Sequence, residues 1–145
     1  MTNNEKKLQI SLAIIRITTA LFFLVWSVEK IVKPELTQGI FKTFYFIDLP
    51  IYASYILGIL QTLIVLVFAV GLLKTWSYGA LLGMHLVSVL STYERLLNPY
   101  TRPNHLFWAA VPALGALIAL FLLRDSDRFL TINFPKLKNN SEERE

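Results

Sequence analysis

The sequence predicts an all-α integral membrane protein, a bundle of four transmembrane helices. Three observations predict it. The 145 residues are 54% hydrophobic and only 17% charged, against about 45–50% and about 25% for an ordinary soluble domain. Mean hydropathy is +0.51. The charged residues cluster between four long apolar runs, each close to the roughly 20 residues that cross a hydrocarbon core of about 30 Å at 1.5 Å rise per residue.

The first run, residues 8–28, is broken only by Gln9, Arg16 and small hydroxyls. Lys6 and Lys7 precede it as they would a signal peptide, but the apolar core is too long and no small-x-small cleavage site follows before Glu29. It is therefore read as a retained span. The second run covers residues 51–73, with Gln61 its most polar member. The third, residues 77–93, is shorter and holds His85. The fourth, residues 105–123, contains Pro112 and Gly115, which a membrane helix tolerates when its neighbours cover the freed backbone groups. One membrane domain is expected for residues 1–145.

The connections orient the bundle. Lys74, Thr75 and Trp76 are expected to form a tight turn between antiparallel second and third spans. Residues 29–50 make a long loop whose stretch "GIFKTFYFIDLP" is rich in aromatic rings, which prefer the headgroup level. Residues 124–145 are expected to be a polar cytoplasmic tail, partly disordered at its end. Seven basic residues (Lys6, Lys7, Lys74, Arg124, Arg128, Lys136, Lys138) flank one side and five (Lys30, Lys33, Lys42, Arg95, Arg102) the other. The excess places both termini in the cytoplasm.

Composition also removes whole classes of chemistry. Without cysteine there are no disulfides, thiolate nucleophiles or Cys-ligated metal clusters. His85 and His105 lie on different helices with no carboxylate at ligand spacing, so no metal is expected. No Gly-rich phosphate loop, nucleophile elbow or acid pair appears. The net charge of +4 comes without a basic stripe interleaved with aromatics, so nucleic acid is not an expected partner.

The residues that demand explanation are the polar ones inside the spans. Arg16, Gln61 and His85 fall at depths that differ by about 6 Å, within the reach of an arginine side chain. Arg16, Thr19, Phe23, Ser27 and Lys30 form one helical stripe; His85, Ser88, Thr92 and Arg95 form another. His105, Trp108, Pro112, Gly115 and Ala119 line a face of mostly small residues on the fourth span, suited to close packing. An arginine at a helix centre costs about 2.5–3.5 kcal/mol on insertion scales. No Asp or Glu lies within any of the four spans. The guanidinium is therefore expected to meet carbonyls, Gln61, water, or a carbonyl-bearing or anionic ligand. The ligand-binding set expected on this reasoning is Arg16, Gln61, His85, Lys30, Ser88, Trp108 and His105, with the catalytic residues unassigned. The bland readings are a snorkelling or packing Arg16, a satisfied core His85, and Gln61 as glue between helices.

The first span, "LAIIRITTALFFLVWSVEKIVKP", and the pair "LGILQTLIVLVFAVGLLKTWSYGALLGMHLVSVL" resemble the DoxX family: an early Arg, an apolar run, a Lys at the exit, then a Gly-rich helix pair with a short basic turn. The likeness covers about residues 8–125. It implies a four-helix bundle of the bacterial inner membrane related to the DoxD-like small subunits of thiosulfate:quinone oxidoreductases. It also implies a quinone as candidate cofactor, and a partner membrane or periplasmic redox protein or a homo-oligomer. Arg16 and Lys30 match the family's basic positions. Gln61 stands where many members carry Glu, which puts proton chemistry in doubt. The leading expectation is a quinone- or redox-associated subunit. The alternatives are a non-catalytic scaffold or assembly subunit and an oligomeric small-solute permease.

Overall fold

The computed structural model describes residues 2–132. Its regular structure is all helical, without a strand among the described residues. α1 (Asn3–Val32) opens with a capping box, the Thr2 hydroxyl accepting from the Glu5 amide at 3.2 Å and the Glu5 carboxylate from the Thr2 amide at 2.6 Å. This satisfies two of the orphan donors at a helix start. Thirty residues of helix are about 45 Å long, more than a bilayer core. α1 ends where Pro34, which lacks an amide hydrogen, starts a new helix, α2 (Pro34–Ile40).

A single π-helical turn over Phe41–Tyr45 follows, then α3 (Ile51–Ala69). The loop expected over residues 29–50 is thus mostly helical. Its exposed aromatic is Phe46 (90%), while Phe44 meets Phe107 with ring centroids 6.0 Å apart. α4 is Lys74–Ser91, α5 the short Tyr93–Leu97, and α6 Ala110–Leu122 follows a 3-10 turn over Asn104–Ala109.

The reversal between α3 and α4 differs from the expected one. It lies at residues 70–73, where Gly71 (φ +65°) and Leu73 (φ +48°) take left-handed conformations. Lys74, Thr75 and Trp76 form the first turn of α4 instead. The Ser77 hydroxyl closes the corner by donating to the Leu72 carbonyl at 2.7 Å.

α1 packs most closely on α3, and α4 on α6. Gly58 permits the α1–α3 approach: a Cβ there would lie 2.7 Å from Ile31 Cγ1 and 3.0 Å from Lys30 Cβ. One turn before Gly58, the Ser54 hydroxyl donates to the Lys30 carbonyl at 3.0 Å. The apolar core is formed by Leu12, Ala20 and Phe23 with Val65, Phe68, Tyr78, Leu81, Leu117 and Leu120. It is gathered toward the end of the bundle where α3 stops and α4 begins. Beyond His85 in α4, and before Leu117 in α6, neither helix has a buried side chain.

Three helical segments are long and apolar enough to cross a membrane: Asn3–Val32, Ile51–Ala69 and the run Asn104–Leu122. α4 carries Lys74, Ser77, His85 and Ser88 and is less apolar. The outside of the molecule is greasy. Large side chains such as Val25 (69%), Leu60 (53%), Leu90 (61%) and Leu122 (71%) stand open while the core is small.

Candidate functional site

Arg16 is completely buried, and it reaches the C-terminal segment that follows α6. Nη1 donates to Asp127 Oδ1 at 2.5 Å, and the two side chains are fully removed from solvent. Nη2 donates to the carbonyls of Phe129 at 2.9 Å and Leu130 at 2.8 Å. Nε donates to the Ala69 carbonyl at 3.1 Å. That last carbonyl belongs to the final turn of α3, where helix carbonyls have no intrahelical partner and carry the negative end of the dipole. A cation is well placed there.

Asp127 is held on every side. The Tyr78 hydroxyl donates to its Oδ2 at 2.7 Å, and the Lys74 ammonium donates to its carbonyl. Gln9, a polar break near the start of the first span, grips the same segment. Its amide nitrogen donates to the Ser126 carbonyl, and its Oε1 accepts from the Arg128 and Phe129 amides, each at 2.9 Å. The Ile132 amide donates to the Val70 carbonyl at 2.9 Å. Gly71 makes room for this strap: a Cβ on it would lie 2.5 Å from Thr131 Cγ2.

The acid that neutralises Arg16 is therefore not in any span. It arrives from residues 123–132, which fold back onto the bundle; residues 133–145 of the tail lie outside the described residues.

The other expected site residues are not gathered around Arg16. His85 is buried and its Nε2 lies 2.8 Å from the Ala110 carbonyl. Its ring meets Phe22 and Phe23 edge-on at 6.3 and 5.1 Å. Phe23 is seven residues beyond Arg16, which puts His85 about 10 Å further along the bundle axis. Gln61 is half-buried on α3 between Gly58 and Val65, so it also stands nearer the His85 level. Lys30 is half-buried, and its ammonium returns to the Trp26 carbonyl at 3.1 Å. Ser88 and His105 are exposed. Trp108, 48% exposed, donates from Nε1 to the Leu96 carbonyl at 3.2 Å.

No protein-family model, curated protein or solved structure matches this chain. A fully buried guanidinium with a carboxylate and three carbonyls is a fastening between α1, the end of α3, α4 and the strap. Among the described residues no group of His, Asp or Glu is placed to hold a metal ion.

Sequence reasoning missed Asp127, Tyr78, Gln9, Lys74 and Gly71. The available signal was the uncompensated Arg16 itself. A buried cation needs a partner, and the nearest acids by sequence after the last span are Asp125 and Asp127.

Proposed function

We propose that this chain is a four-span protein of the bacterial inner membrane that acts as a non-catalytic scaffold or assembly subunit. In keeping with its resemblance to the DoxX family, the assembly it serves is a membrane redox complex. α1, α3, α4 and the run Asn104–Leu122 are the spans, both termini face the cytoplasm, and the loops around residues 33–50 and 92–104 face outward. The observation that carries the scaffold reading is the internal use of Arg16: its Nε, Nη1 and Nη2 all donate to the protein's own oxygens. The exposed apolar belt supports insertion, since soluble monomers rarely show apolar patches beyond a few hundred Å².

A second reading, a quinone-associated subunit, draws on the outer half of the bundle. There α4 and α6 have no buried side chains, and half-buried Gln61 and Lys30 offer hydrogen-bond donors. One preparation separates the two. The protein extracted in mild detergent is assayed by mass spectrometry for bound quinone, in wild type and Arg16→Gln, with thermal unfolding alongside. The scaffold reading expects a lowered unfolding midpoint in Arg16→Gln and no stoichiometric quinone in either sample. Near-stoichiometric quinone in wild type would give the site to the second reading.

A further inference from the structure

The end of the bundle closed by the strap carries three basic side chains in one place. Lys74 begins α4, and its ammonium lies on the Asp127 carbonyl. Arg124 reaches across to the same turn, with Nε 3.3 Å from the Thr75 hydroxyl and its guanidinium 4.6 Å above the Phe121 ring. Arg128, four residues after Arg124 on the same strap, is held by its Nε, which donates to the Asp125 carbonyl at 3.2 Å.

Among the described residues none of the three has a carboxylate within ion-pair distance. Their remaining donors, Nη2 of Arg124 and both Nη of Arg128 among them, are not taken up by protein acceptors there. Backbone carbonyls and an aromatic face hold the cations in position without neutralising them.

Apolar surface adjoins this charge. A groove of about 350 Å³ runs along Gly71–Trp76 and Ile132, with Leu73 60% and Trp76 79% exposed at its edge. Tryptophan beside lysine and arginine is the composition of a membrane–water interface. The charge balance differs between the two ends. Once the Arg16–Asp127 pair is set aside, this end shows five basic residues against Glu5 and Asp125 in the described chain. The opposite end nearly balances five basic residues with four acidic ones. Phosphate is the anion that suits an arginine fork and a lysine point charge together.

We propose that Lys74, Arg124 and Arg128 form a binding shelf for the phosphate of an anionic phospholipid, whose acyl chain lies along the groove edged by Leu73 and Trp76. Charge complementarity selects the lipid: a zwitterionic headgroup brings no net negative charge to three cations that no carboxylate among the described residues pairs with. The inference rests on the membrane reading above.

The test reconstitutes the full chain into nanodiscs of mixed phosphatidylglycerol and phosphatidylcholine and measures by native mass spectrometry which lipid stays bound on release. Wild type is expected to retain phosphatidylglycerol preferentially, less so at high salt. Arg124→Gln/Arg128→Gln is expected to lose roughly 25-fold in that preference, about five-fold per charge near a headgroup surface, with unchanged helix content. Lys33→Gln/Arg102→Gln, at the other end, is expected to keep it.

Equal retention of the two lipids, an unchanged preference in the Arg124/Arg128 variant, or displacement of the lipid by inorganic phosphate alone would overturn the proposal. A chain that stays in aqueous solution without lipid or detergent would overturn the membrane reading with it. A chain that inserts but treats both lipids alike overturns only this one.

Discussion

Arg16 and Asp127 set the stakes at the scale of single residues, because a buried charge is costly chiefly when it is left alone. Removing one member of a buried pair costs about 3–5 kcal/mol, while replacing both with apolar side chains of similar size is often neutral. Arg16→Met and Asp127→Leu are accordingly each expected to destabilise by about that amount, and Arg16→Met/Asp127→Leu by clearly less than either single change. Thermal unfolding of the four proteins in one detergent measures the cycle; additive losses would show that the pair does not act as a unit. Tyr78→Phe removes a donor to a carboxylate without changing shape, and a loss of about 1.5–3 kcal/mol is expected. Gly71→Ala combines a left-handed φ of +65° with a Cβ 2.5 Å from Thr131 Cγ2. It is expected to dislodge the strap even though it adds only a methyl group. The need for a partner to Arg16 was legible in the sequence, since no acid lies in the spans. The identity of that partner was not: a contact between residues 16 and 127 leaves no local pattern.

Periodicity governs the elements. Apolar runs at residues 8–28, 51–73 and 105–123 correspond to α1, α3 and the run Asn104–Leu122, because continuous hydrophobicity at helical length is a strong signal. Boundaries moved where backbone conformation took over. α3 stops at Ala69 because Gly71 and Leu73 turn left-handed, which hydropathy does not register. Residues 124–132 read as the start of a polar tail, yet three hydrogen bonds with Gln9 and one from Ile132 to Val70 fasten them to the helices. Gln9→Ala is expected to raise amide exchange at Arg128 and Phe129 and to admit trypsin after Arg128, with the exchange of α3 and α4 unaltered. Equal exchange in the two proteins would mean that the Arg16 contacts suffice to hold the strap. On the other helix pair, Gly58→Leu is expected to force α1 and α3 apart, costing about 1–3 kcal/mol as overpacking does.

The whole molecule inverts the usual distribution of apolar surface. Its buried core is confined to one end, and its outer faces display Val25, Leu60, Leu90 and Leu122, a distribution that a hydrocarbon solvent makes favourable. The strap also ties the start of α1 to the segment after α6 through Gln9, so both must lie on one side of the bilayer if the four helices cross it. The cysteine-free chain makes this easy to measure. Single cysteines placed at Thr2 and Asp125 are expected to react with an impermeant maleimide from one side, and a cysteine at Tyr100, 98% exposed, from the other. Reaction of Thr2→Cys and Tyr100→Cys from the same side would rule out the four-span arrangement.

By itself the sequence determined the helical class, the three strongest apolar segments, the freedom from thiol chemistry and the presence of a buried cation in need of company. Each of these follows from composition or from the local period of the chain. Only the tertiary structure decided that Arg16 is answered by Asp127, that His85 and Gln61 stand about two turns away from it, and that the polar centre fastens the C-terminal strap. Those outcomes depend on which helix ends converge in space. Chain-distant groups meet there because a buried charge draws whichever carboxylate and carbonyls the fold brings within hydrogen-bonding distance.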